Sequence, residues 1–130
     1  GRGLARLAGR IQATVGRARG QADLRADAAA LEAAMGRIQQ ATHAAWATGQ
    51  PAEALANAVP YMQAFGHVAL AWIWLDLGLV SSASKTEAAC AGLAGARAYF
   101  YCYELPKIDA WLGVVERREM ICTRLPEEAF

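Results

Sequence analysis

From Arg2 to Arg19 the apolar side chains Leu4, Leu7, Ile11, Val15 and Ala18 recur at steps of three and four, the spacing that lines one face of an α-helix. Gly20 interrupts this run. A second stripe, Leu24, Ala28, Leu31, Met35, Ile38, Thr42 and Ala45, keeps the same alternation over three heptads and predicts a bundle seam. It ends at Thr48-Gly49-Gln50-Pro51, where Gly can terminate one helix and Pro can open the next. The segment from Ala54 to Leu75 then runs for 22 residues without a formal charge, long enough to be compared with a membrane span. Asn57, Gln63 and His67 interrupt it, Pro60 is expected to kink it, and Asp76 follows directly. The reading is therefore a core helix packed on both sides, with no membrane span.

A break is expected at residues 81–83. Ser84-Lys85-Thr86-Glu87 is a capping-box pattern, in which Ser84 accepts from the Glu87 amide and a fourth helix starts at Lys85. Its inward stripe is read as Ala89, Leu93, Ala96, Phe100 and Tyr103, with a bend at Pro106 before Ile108, Trp111, Leu112 and Val115 continue it. Residues 123–130 have no period, and the chain has no internal repeat and no low-complexity linker. The pattern predicts an all-α fold, an antiparallel four-helix bundle of up-down-up-down order forming a single domain over residues 1–130.

Composition narrows the class. The chain has 130 residues, 55% hydrophobic and 19% charged, with a net charge of +1, so it can bury a core and is not a disordered tail. Its 31 Ala and 12 Gly, against 16 Val, Ile and Thr together, favour closely packed helices over strands. Near-neutral charge argues against a dedicated nucleic-acid binder. Cys90, Cys102 and Cys122 are odd in number and widely spaced, which fits neither a disulfide framework nor a zinc site and points to a reducing cytoplasm. No signal-peptide pattern is visible at the start of the sequence.

Candidate chemistry is sparse. The first 25 residues hold six arginines against one acid, Asp23, and Arg2, Arg6 and Arg10 recur every four residues. Such a row can face phosphates, or dock on an acidic neighbour, or simply be solvated. His43 is read as a surface residue and His67 as a hydrogen-bonded core histidine; with no Glu-x-x-His in the chain, no metal site is expected. The aromatic groups Tyr61, Phe65, Trp72, Trp74 and Tyr99, Phe100, Tyr101, Tyr103 are expected to meet across a helix interface as core. No serine has a plausible triad, no glycine-rich loop cradles a phosphate, and Glu104 and Asp109 straddle Pro106. No catalytic residue is assigned.

One resemblance adds a function. NAVPYMQAFGHVALAWIWL, residues 57–75, and the later ARAYFYCYELPKIDAWLGVV resemble the C-terminal helical domain carried by a subgroup of bacterial acyl-CoA dehydrogenases. The positions that carry it are Asn57, Ala58, Pro60, Tyr61, Phe65, Gly66 and Trp72, then Tyr99 and Phe100 in reversed order, then Leu105 and Pro106; the closing Leu-Pro-Glu-Glu-Ala-Phe is similar to the end of such an enzyme. The resemblance implies a parent flavoenzyme of fatty acid metabolism that removes a proton and a hydride from an acyl-CoA thioester, with a glutamate base and FAD as acceptor. That glutamate and the flavin-binding strands have no counterpart in this chain. What is implied is therefore a non-catalytic accessory domain without a cofactor of its own, packed on the dehydrogenase body or a subunit interface of a homo-oligomer. Arg2, Arg6 and Arg10 would then be candidates for meeting that body or cofactor phosphates. Two rivals stay open: a free-standing helical interaction module using the seam from Leu24 to Ala45, and an apolar-ligand binder built on Tyr61 and Trp72.

Overall fold

The computed structural model describes residues 2–81 and 86–129, and within them the chain is built of helices with no β-strand. Helix α1 (Arg2–Arg19) buries Ile11, Thr14, Val15 and Ala18 and half-buries Leu4 and Leu7. A short turn, closed by the Gln21 amide donating to the Ala18 carbonyl at 3.0 Å, reverses the chain into α2 (Arg25–Ala45). The heptad seam lies inside the molecule: Leu24, Ala28, Leu31, Met35, Ile38 and Ala45 are buried. Only Thr42 stands partly out, and its hydroxyl is held by the Ile38 carbonyl at 2.7 Å. Gly49, at φ 70°, supplies the left-handed residue that ends this segment.

The long third helix of the sequence reading is two helices. Pro51 opens the short α3 (Pro51–Leu55), and a fresh helix, α4 (Ala58–Val80), starts after Asn57. Pro60 falls in the first turn of α4, where a missing N–H breaks no intrahelical bond, so the kink expected there is replaced by a helix start. Burial on both sides is also corrected. Helix α4 buries only the stripe Ala64, Val68, Ala71 and Leu75, while Val59, Met62, Leu70, Ile73 and Val80 are exposed. By length and composition α4 would suffice to cross a membrane; its inward stripe packs on α1, α2 and the later helix at Ile108–Glu116.

Helix α5 (Glu87–Tyr99) is capped by Thr86, whose hydroxyl accepts from the Ala89 amide at 3.3 Å. Ser84 and Lys85, the first half of the expected capping box, lie outside the described residues. A π-helical turn (Phe100–Glu104) and a 3₁₀ turn around Pro106 (Leu105–Lys107) join α5 to α6 (Ile108–Glu116). The wide turn shifts the helical phase. The predicted stripe holds at Phe100, which is buried, and fails elsewhere: Ala89 and Ala96 are exposed and Leu93 half-buried ahead of the wide turn, Tyr103 is exposed within it, and the inward residues are Arg97, Phe100 and Tyr101. Beyond the bend Ile108, Leu112 and Val115 are buried as their spacing indicates. The short α7 (Ile121–Arg124) and the last turn at Glu127–Ala129 bury nothing.

Helix α1 packs on α2 and α4, α6 packs on the same two helices, and α5 lies against α4. The core therefore sits between α1, α2, α4 and α6. Gly78 lets α4 close on its neighbours, since a Cβ there would stand 2.9 Å from both Arg97 Nη1 and Leu24 Cδ2.

Candidate functional site

Several polar groups among the described residues join helices, and three of them carry the candidate side chains. At the first, the Trp72 indole donates to Thr14 Oγ1 at 2.8 Å, Thr14 donates to Asp76 Oδ1 at 3.2 Å, and Arg17 donates to the same oxygen at 2.9 Å. This chain ties α1 to α4. At the second, Arg97 Nε donates to Asp27 Oδ2 at 2.8 Å, with the two side chains only 10% and 19% exposed. Beside it the Tyr101 hydroxyl donates to the Ala71 carbonyl at 2.8 Å. Burial pushes the Tyr101 phenol well above its ordinary range, the Asp27 charge adds to this, and Arg97 offsets part of it. The phenol stays protonated and structural.

The third group is centred on His67. Its Nδ1 lies 3.2 Å from the Gln63 carbonyl and its Nε2 lies 3.3 Å from Glu104 Oε2, while Lys107 Nζ donates to both Glu104 oxygens at 2.8 Å. The imidazole sits 4.8 Å from the Trp111 ring, edge-on, and 5.8 Å from Phe100. Hydrogen bonds from Lys107, then from His67, hold the Glu104 carboxyl below the usual carboxylate range. His67 is thus a hydrogen-bonded, mostly buried histidine whose partner is supplied by the π-helical turn. Both ring nitrogens face acceptors and two aromatic rings flank it, so the cluster clasps α4 to the π-helical turn and α6. Asp109 turns away from Glu104 and pairs with Arg37, which also reaches Glu116.

The remaining sequence candidates are scattered. Arg2, Arg6 and Arg10 are exposed along α1, and among the described residues none of the three has an ion-pair or hydrogen-bond partner. His43 is exposed on α2. Tyr61 stacks on Phe65 at 6.3 Å, but Tyr99 and Tyr103 stack on each other at the surface rather than joining a core. The π-helical turn explains that departure, because it carries Phe100 and Tyr101 inward in their place. Tyr61 and Trp72 are not in one pocket. Trp72 belongs to the Thr14 chain, and Tyr61 lines a cavity of about 250 Å³ with Thr42, Ala45, Trp46, Leu55, Met62 and others. The polar contact recorded within that cavity is the 2.8 Å bond between the Tyr61 and Thr42 hydroxyls.

Sequence reasoning missed Thr14, the Asp27–Arg97 pair and Glu104 as the partner of His67. Two signals were there to be used. Thr14 lies at i+3 from Ile11 on the arc that faces inward, and Arg97 is the single cation of an Ala/Gly-rich helix. The separation of His67 from Glu104 had no local signature.

Two surfaces stand out once these groups are placed. Helix α4 turns a face without formal charge outward, and α5 exposes Ala88, Ala89, Ala91, Gly92, Gly95, Ala96 and Ala98 with Arg97 as its one buried residue. An apolar helix bare on most sides is the mark of a covered element. Comparison with family models matches residues 7–126 to the acetyl-CoA dehydrogenase C-terminal-like family. The chain belongs to this family. A search of curated proteins and a search of solved structures each return no match.

For an acetyl-CoA dehydrogenase C-terminal-like domain, a flavin is the cofactor to test against these residues, and they do not fit it. The Tyr61 cavity has no charged side chain to meet a diphosphate. The cavity beside Tyr101 contains Arg37, already engaged by Asp109 and Glu116. Among the described residues no group of three or more His, Cys, Asp or Glu is placed to hold a metal ion.

Proposed function

We propose that this chain is the non-catalytic C-terminal helical domain of an FAD-dependent acyl-CoA dehydrogenase, bacterial and cytoplasmic, whose body performs the α,β-dehydrogenation of an acyl-CoA thioester. The observation that carries the reading is the family match across residues 7–126 of a chain whose three described polar clusters join its own helices. The bare Ala/Gly surface of α5 supports the second half of the reading, that the domain packs on the dehydrogenase body. In this reading the base, the flavin and the acyl-CoA site belong to that body. Arg2, Arg6 and Arg10 are the candidates for an acidic surface of the body, since the chain itself leaves them without a partner.

The bundle is read as up-down-up-down, supported by the cross-helix pairs: Thr14 and Arg17 with Trp72 and Asp76, and Asp27 and Arg37 with Arg97 and Glu116. It is also read as a folded accessory domain rather than a membrane span, because α4 shares its inward stripe with three other helices. The rival interaction module loses its main support: the seam it would offer, Leu24 to Ala45, is already buried in the molecule.

The test is made on the full-length enzyme. Deleting this domain should leave a protein that retains its glutamate base and flavin-binding strands but aggregates, or loses flavin or acyl-CoA turnover. Substituting Gly92→Glu and Gly95→Glu on α5 should reproduce that loss without unfolding the domain, because a Cβ at either position meets nothing within 4 Å. A reading frame with no flavoprotein body upstream, or a deletion with unchanged assembly, flavin content and turnover, overturns the proposal.

A further inference from the structure

The outward face of α4 is a candidate interface whose partner can be read from the face itself. Val59, Met62, Leu70, Ile73 and Val80 are exposed by between 46% and 71%, and they share one side of the helix with Gly66, Ala69 and Leu77. The stripe runs from Val59 to Val80, about 32 Å at 1.5 Å per residue. Its five large residues leave roughly 500 Å² of apolar surface bare, the upper end of what a monomer exposes. With its small residues and flanks the face approaches the roughly 800 Å² per partner of a stable interface.

The order of residues along that stripe is symmetric. About a midpoint between Ala69 and Leu70, Val59 corresponds to Val80, Met62 to Leu77 and Gly66 to Ile73. If two copies of α4 lie antiparallel around that midpoint, the ends bring apolar side chains of similar size together. Nearer the centre, each Ile73 meets the notch left by Gly66 of the other copy, and Ala69 faces Leu70. A two-fold interface requires such self-complementarity, large opposite small and no like charges facing. Asp76, the one acid of α4, lies at the edge of the face and is held by Arg17 and Thr14.

Gly66 fits this packing. A glycine in the interior of a helix costs about 1 kcal/mol relative to alanine, and a Cβ at Gly66 would meet nothing within 4 Å in its own chain. The open space at Gly66 leaves room for Ile73 of a second copy. A membrane is the poorer occupant, since α4 carries no Lys or Arg to meet lipid headgroups.

We infer that α4 is a homodimerisation face, pairing antiparallel with α4 of a second copy of this chain about a two-fold axis at Ala69–Leu70. The inference deepens the accessory-domain reading by naming the partner of this face, and it leaves α5 for the dehydrogenase body.

Sedimentation equilibrium of the 130-residue chain at micromolar concentrations should give twice the 13.9 kDa of one copy. Gly66→Leu fills the notch without touching its own bundle, so it should keep or raise the melting temperature while weakening dimerisation roughly 10- to 100-fold. With Cys90, Cys102 and Cys122 changed to Ser, the double variant Val59→Cys/Val80→Cys should oxidise to a covalent dimer. The two positions are about 32 Å apart within one copy and cannot pair internally. A monomeric wild-type chain overturns the inference, as does a dimer that neither loses affinity in Gly66→Leu nor cross-links in this register. Binding of the monomer to anionic or neutral phospholipid vesicles, abolished by Ile73→Asp, would transfer the face to a membrane and likewise overturn it. A dimer whose reading frame encodes no flavoprotein body refutes the accessory-domain reading alone; a monomer within an intact flavoenzyme that needs α5 refutes this one alone.

Discussion

Gly78 and Gly36 offer the same substitution in two environments and give opposite expectations. Replacing either by Ala removes the helix cost of glycine, a gain of about 1 kcal/mol. At Gly36, on the exposed side of α2, the new methyl meets nothing within 4 Å and the gain stands. At Gly78 the methyl arrives 2.9 Å from Arg97 Nη1 and 2.9 Å from Leu24 Cδ2. Neither neighbour yields easily: Leu24 is fully buried, and Arg97 is held by Asp27 at 2.8 Å with its side chain 10% exposed. Overpacking of this kind costs about 1–3 kcal/mol, so Gly78→Ala should lower stability by up to about 2 kcal/mol where Gly36→Ala raises it by about 1. For a chain of this length 1 kcal/mol corresponds to about 4 °C in Tm. Thermal melts followed by far-ultraviolet circular dichroism should therefore separate the two variants by roughly 4–12 °C. If Gly78→Ala melts as high as Gly36→Ala, the close approach of α4 to Leu24 and Arg97 is wrong, and with it the placement of the buried ion pair.

Three further outcomes follow from the polar clusters. Asp27→Ala strands Arg97 in the interior and should cost about 3–5 kcal/mol, whereas the double change Asp27→Leu/Arg97→Met should be near neutral; urea titrations of both variants read the difference. Thr14→Val removes the acceptor for the Trp72 indole and should cost about 1–3 kcal/mol, with a change in tryptophan fluorescence as the bond is lost. Because its folded carboxyl titrates below its unfolded value, Glu104 adds stability above the ordinary glutamate range and loses it as pH falls through the lowered value. A pH series of melts should show Glu104→Gln melting below wild type at neutral pH, with the gap closing as pH falls through the lowered value.

Helix positions were legible wherever a stripe was long and its neighbours ordinary. The α1 and α2 stripes lie inside the molecule, because steps of three and four survive any arrangement of partners. The fourth segment read less well from Ala89 to Tyr103. Phe100 is buried as its spacing indicates, but the π-helical turn that begins there adds a residue, so Tyr101 comes inward and Tyr103 lands in solvent; Ala89 and Ala96 stand exposed ahead of it. Pro60 misled for a related reason, as proline reads as a kink or a start depending on where the helix begins. The polar clusters were out of reach: the separation of 37 positions between His67 and Glu104 carries no pattern that pairs them. The outward face of α4 was visible as an apolar run, but only the burial of Ala64, Val68, Ala71 and Leu75 reveals which side is left bare.

The central claim is that this domain holds no chemistry of its own and serves a flavoenzyme body. The most direct measurement is a visible absorbance spectrum of the purified chain, incubated with FAD and desalted, beside the full-length enzyme treated the same way. The account predicts flavin absorbance that is bleached by acyl-CoA in the full-length enzyme and none retained by the isolated chain. Stoichiometric flavin on the isolated chain, reduced on addition of an acyl-CoA, would contradict it.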